Sequence, residues 1–147
     1  MDDLAVICIG NRYAAQDRLG CAVYEQLSGG ALAMEAAAAG IAVIDGGLCG
    51  LNLLREIEGR RRVVFVDAVA GFAPAGEIVV LDRQQAAACA GAFGHAAGLP
   101  YLLDVLPQVC DGPLPEIALV GAAGDLDEAA LQSLARRSLE MARDGTR

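Results

Sequence analysis

The chain contains a single histidine, His95, and three aspartates that follow its first three short apolar runs. Asp17 lies a short loop beyond LAVICI (residues 4–9), Asp45 stands directly after IAVI (41–44), and Asp67 directly after VVFV (63–66). Carboxylates joined by one imidazole make a site for a borderline divalent metal such as zinc or nickel, with an open position for water or substrate. No His-x-x-His or Glu-x-x-His pair is present, so spacing alone leaves plainer roles open. Asp17 could be an acid complementing a helix N-terminus, Asp67 a turn former or cap, Asp45-Gly46-Gly47 a strand-ending turn, and His95 a surface or helix-start residue.

Five apolar runs read as the strands that must position these groups: 4–9, 41–44, 63–66, 77–81 (EIVVL) and 117–120 (IALV). Helical spacing occupies 17–27, the Ala-rich 31–39, 48–57, 84–92, 95–106 and 125–142; in the last, Asp125 or Asp127 suits the N-terminal end. The link from the third strand to the fourth holds a Pro74-Ala75-Gly76 turn and no room for a helix, so the fourth strand is expected as an antiparallel edge. The alternation predicts one α/β domain over 1–147. It is a three-layer open twisted sheet of about five strands, mostly parallel, with helices on both faces. In such sheets ligands bind beyond the carboxyl ends of the strands, and Asp17, Asp45 and Asp67 are all expected there.

Composition narrows the partners. Of 147 residues, 55% are hydrophobic and 20% charged, which excludes disorder, and no apolar run reaches bilayer length. The net charge of −8 gives no footprint for nucleic acid or anionic lipid. Arg60, Arg61 and Arg62 read as a solvated corner. Five cysteines with no CxxC pair, and an acidic opening Met1-Asp2-Asp3, predict a reduced cytoplasmic protein. There is no GxGxxG, no GxxxxGK[ST] and no GxSxG, and none of Ser28, Ser133 and Ser138 stands in a nucleophile context.

Six short motifs in order give the chain a resemblance to the nickel–iron hydrogenase maturation endopeptidases. They are Gly10-Asn11 followed by Asp17 and Gly20, then Asp45-Gly46-Gly47 with Gly50 and Leu53-Leu54, then Asp67-Ala68. Pro74 and Gly76 come next, followed by His95, Gly98 and Leu99, and finally Leu119-Val120-Gly121. The resemblance runs from Val6 to about Gly121. It implies a cytoplasmic, monomeric endopeptidase that removes the C-terminal peptide of a hydrogenase large-subunit precursor after nickel insertion. It implies that Asp17, Asp67 and His95 contact the nickel, which the substrate carries and which zinc or cadmium could replace in vitro. Asp17 or Asp67 would be the general base, and Asp45, Gly46 and Gly47 would lie against the substrate. The chain departs from the family in holding Gln16 where members commonly carry an acid before the metal-contacting one. That departure supports one alternative, a non-catalytic module that holds a maturation intermediate; a related metal-assisted peptidase acting on another protein is a third reading.

Overall fold

The computed structural model describes residues 2–10, 18–47, 51–69, 74–88 and 98–145. Five strands form one sheet: β1 (Leu4–Ile9), β2 (Ile41–Gly47), β3 (Arg62–Ala68), β4 (Val79–Asp82) and β5 (Glu116–Ala122), in the order β2-β1-β3-β5-β4. The first four in that order run parallel, and β4 closes the edge antiparallel to β5, as the short β3–β4 link requires. The helices are α1 (Leu19–Leu27), α2 (Gly30–Ala38), α3 (Leu54–Ile57, preceded by a 3-10 turn over Leu51–Leu53), α4 (Arg83–Ala87), α5 (Gly98–Val109) and α6 (Glu128–Asp144).

Alternation along each strand builds two cores. Ile7, Phe65 and Leu119 face one side and pack with Ile57, Ala86, Leu99 and Leu103 of α3, α4 and α5. Val6, Val64 and Val120 face the other and pack with Val23, Leu27, Ala36 and Leu134 of α1, α2 and α6. Both faces of the sheet are therefore dry, which is why the strands read as unbroken apolar runs. Cys8 belongs to the second core; its burial, with the negative charge of Asp45 as a smaller contribution, pushes the thiol well above its ordinary pKa. It acts there as a small hydrophobe.

Several boundaries differ from the sequence reading for local physical reasons. The Asp45-Gly46-Gly47 segment does not close β2 but continues it: Cys8 pairs with Asp45 and Ile9 with Gly47. Gly46 is the extra residue where the register shifts, and a Cβ there would lie 2.8 Å from Ile7 Cγ2 and Ile9 Cδ1. α6 starts at Glu128. Asp127 is its N-cap and accepts from the Ala130 N–H at 2.8 Å, which leaves Asp125 outside the helix. Leu126 and Leu131 occupy the N′ and N4 positions of a hydrophobic staple.

The arginine corner is not simply solvated. Arg60 Nη1 donates to the Asp2 carbonyl and its Nε to the Glu56 carbonyl, both at 2.6 Å. Arg62 Nη1 donates to the carbonyls of Ala142 and Arg143, closing the C-terminal turn of α6, while its Nε reaches Glu116. Arg61 alone is exposed. Arg60 and Arg62 hold the entry of strand β3 to its surroundings.

A fourth arginine repairs a defect in α5. Pro107 lies inside this helix and has no N–H for the Leu103 carbonyl four residues back. Arg83 Nη1, on the first residue of α4, donates to that carbonyl at 3.0 Å. Removing it leaves a partly buried acceptor unmatched, so Arg83→Ala should cost about 1–2 kcal/mol, or roughly 3–6 °C in Tm. In a double-mutant cycle, Pro107→Ala should recover most of that loss by restoring the N–H. Thermal melts that show additive effects would disprove the repair.

Candidate functional site

The parallel strands end on one edge, and their carboxyl ends bring the expected residues into comparison. Asp67 is the next-to-last residue of β3 and is fully buried. It shares parity with Phe65 and Val69, so it faces the side covered by α3, α4 and α5. Its Oδ1 accepts the N–H of Ala68 at 2.8 Å. Among the described residues it is the one buried carboxylate. Burying a carboxylate is expensive, so a fold keeps one where it serves a partner or a reaction.

Two glycines let the backbone close around this position. Gly121 on β5 pairs with Asp67, and a Cβ there would sit 2.3 Å from the Asp67 carbonyl oxygen and 2.7 Å from Val69 Cγ2. Gly20 opens α1 directly against the end of β1, where a Cβ would stand 1.9 Å from the Ile9 carbonyl oxygen. Both are members of the motifs read in the sequence, and both are there because main chain meets main chain.

Asp45 does not join Asp67. Cys8 of β1 pairs with Asp45 on one side and Val66 on the other, so β1 separates the two aspartates. Two strand spacings place their backbones roughly 10 Å apart. Asp45 also shares parity with Ile41 and Val43, which face α1 and α2. It is exposed, and its Oδ1 accepts the N–H of Gly47, the positive-φ last residue of β2, at 3.2 Å. The three-carboxylate cluster expected from counting strand ends therefore divides between the two faces. Asp17 and His95 lie outside the described residues, and among the described residues no group of three metal-ligating side chains occurs.

The elements beside those two are described. α1 begins two residues after position 17, at the carboxyl edge. α5 begins three residues after position 95. Its far end lies where β3 enters the sheet, since the Asp111 N–H just beyond it donates to the Glu58 carboxylate. Its first turn is therefore directed to the carboxyl edge, on the face that Asp67 shares with Leu99 and Leu103.

One feature of this edge was not read from the sequence. On the α1 and α6 side an open pocket of about 600 Å³ is lined by Leu19 and Ala22 of α1, Ala68 of β3, and the staple residues Leu126 and Leu131. The exposed Arg18, Gly124 and Asp125 complete it. The only local signal was the Leu-Asp-x-x-x-Leu spacing of the staple; the pocket itself joins three segments distant in sequence.

Comparison with known proteins gives a consistent result. The family model described as hydrogenase maturation protease matches residues 24–137, most of the chain. No curated protein matches. Among solved structures, the hydrogenase maturating endopeptidase HybD of Escherichia coli superposes with a TM-score of 0.68 at 21% identity, over 93% of this chain and 87% of that one. The endopeptidase HycI of Escherichia coli gives 0.65 at 24% identity, over 99% and 94%. The [NiFe] hydrogenase maturation protease HybD of Thermococcus kodakarensis gives 0.64 at 18%, over 94% and 95%. At these identities the structural likeness is one of fold. No helix among the described residues is long and apolar enough to cross a membrane.

Proposed function

The chain belongs to the hydrogenase maturation protease family, and from that premise we propose that this peptidase removes the C-terminal peptide of a nickel–iron hydrogenase large-subunit precursor after nickel insertion. It works in the cytoplasm on a metal that the substrate brings. The observation that carries the reading is Asp67: a fully buried carboxylate at the carboxyl end of a central strand, paired with a glycine that lets the neighbouring main chain close against it.

In this reading Asp17, Asp67 and His95 contact the nickel of the precursor, so only a loaded precursor is held in register for cutting. The bound metal polarises a water or the scissile carbonyl. Asp17 or Asp67 takes the proton as water attacks the carbonyl carbon; the C–N bond then breaks and the proton passes to the leaving amine. The Gly46-Gly47 end of β2, free of side chains, lets an extended segment of the precursor approach the sheet edge. Asp45 acts on this approach surface and not on the metal, being on the other face from Asp67.

The test uses one precursor in two forms, loaded with nickel and free of it. The loaded form should be shortened and the nickel-free form left whole, as read by intact mass. Equal cutting of both would remove nickel as the recognition handle. Binding of the loaded form with no cutting by a folded protein would replace the peptidase reading with that of a holding module.

A further inference from the structure

We propose that the pocket between α1, the end of β3 and the start of α6 is a specificity subsite. It takes an aliphatic side chain of the precursor within about two residues of the scissile bond. The inference rests on the reading of the chain as a precursor-cutting peptidase and adds to it which part of the substrate is selected, and by what.

Position is the first argument. Ala68 lines the pocket and directly follows Asp67, yet strand alternation turns the two to opposite faces of the sheet. An extended peptide crossing the carboxyl edge over β3 alternates in the same way. With one of its residues at Asp67, a neighbouring side chain descends on the α1 and α6 side, into the pocket.

Chemistry is the second. Leu19, Ala22, Leu126 and Leu131 give the pocket an apolar, partly buried wall. The staple positions fix Leu126 and Leu131 at the start of α6, so the wall is formed before anything binds. The volume of about 600 Å³ holds a side chain together with its flanking main chain. An extended chain arrives with a free carbonyl and a free N–H at each residue. The Arg18 guanidinium and the Asp125 carboxylate, whose side chains make no hydrogen bond or ion pair with other described residues, can donate to the one and accept from the other. One cation and one anion cancel, so the pocket favours neither charge, and its apolar wall decides.

The experiment uses the full chain and nickel-loaded precursors in which each of the two residues on either side of the cleaved bond is set to Leu or Lys. The wild-type protein should cut the Leu form at one of these positions with about tenfold higher kcat/KM than the Lys form. Leu126→Asp should narrow or invert that preference. Ala22→Leu, which narrows the pocket from the α1 side, should raise KM about tenfold with kcat within about twofold. Thermal melts establish that each variant is folded; if Leu126→Asp is not, Ala22→Leu decides. Preference at no position, or a preference that neither folded variant alters while Asp67→Asn abolishes cutting, overturns the subsite and leaves the peptidase reading standing. A wild-type protein that cuts no loaded precursor overturns both.

Discussion

Asp67→Asn should lower the rate of precursor cleavage by at least about 10²-fold, the scale at which a positioned acid or base contributes to hydrolysis, while the protein remains folded. Two physical facts make the pair of expectations sharp. Asparagine is isosteric with aspartate and can still present an oxygen to the Ala68 N–H, the 2.8 Å bond that orients the side chain. It cannot take a proton from water, and it is a far weaker ligand for a cation. If Asp67 were only a structural carboxylate, loss of its charge would show first in the melt, with activity declining in step. If it belongs to the reacting centre, Tm should stay within a few degrees while cleavage falls. Asp45→Asn provides the contrast. Asp45 is exposed, lies across β1 from Asp67 and points to the other face, so its substitution should change KM more than kcat. The assignment fails if the folded Asp67→Asn variant cuts loaded precursor at the wild-type rate.

The difference between these aspartates shows what could be read in advance. Counting which acids follow strand-like runs brought Asp17, Asp45 and Asp67 to one edge, and for β2 and β3 the edge is correct. Counting did not say which face each side chain takes. That was available from the period of two: Ile41, Val43 and Asp45 share one parity, Val63, Phe65 and Asp67 another. The sheet itself was legible because both its faces are buried, which leaves apolar runs with nothing else to explain them. The antiparallel edge was legible because the β3–β4 link is too short to cross over.

What escaped the sequence reading was decided by tertiary partners. Asp45-Gly46-Gly47 has the chemistry of a turn, but β1 offers unpaired main chain beside it, and pairing prevails at the expense of one bulged residue. The helix expected to end at Leu106 continues through Pro107 to Val109, with Arg83 supplying the missing donor from another helix. Arg60 and Arg62 had the look of a solvated run, but carbonyls at chain turns claim them. In each case the local preference is real and is worth about 1–3 kcal/mol, which one well-placed hydrogen bond to a partner can offset.

Gly20→Ala should be among the most damaging single-methyl additions in the chain, lowering stability by about 3 kcal/mol or more. The added Cβ would stand 1.9 Å from the Ile9 carbonyl oxygen, 2.6 Å from its carbon and 2.9 Å from its nitrogen. All three are main-chain atoms of a central strand whose own bonds to β2 and β3 resist movement. No rotamer change relieves such a clash, so α1 must lift from β1, opening the core around Val23 and Leu27. Ordinary helix propensity argues the other way, since alanine for glycine inside a helix is worth roughly 1 kcal/mol of stabilisation. The sign of the measured change therefore reports which consideration governs. Gly29→Ala is the matched control. That residue precedes α2 with an extended φ of −134°, and nothing lies within 4 Å of its Cβ position, so the melt should move by no more than about 2 °C. A Gly20→Ala protein as stable as wild type would mean that α1 does not sit this closely on β1. In that case Arg18 and Leu19, carried by the start of the same helix, would not be held at the carboxyl edge as described. Loss of stability at Gly20 with none at Gly29 would give this glycine, three residues after Asp17 in the motif, its physical meaning. It sets the distance between the first helix and the first strand, and with it the place of Arg18 and Leu19 at the carboxyl edge.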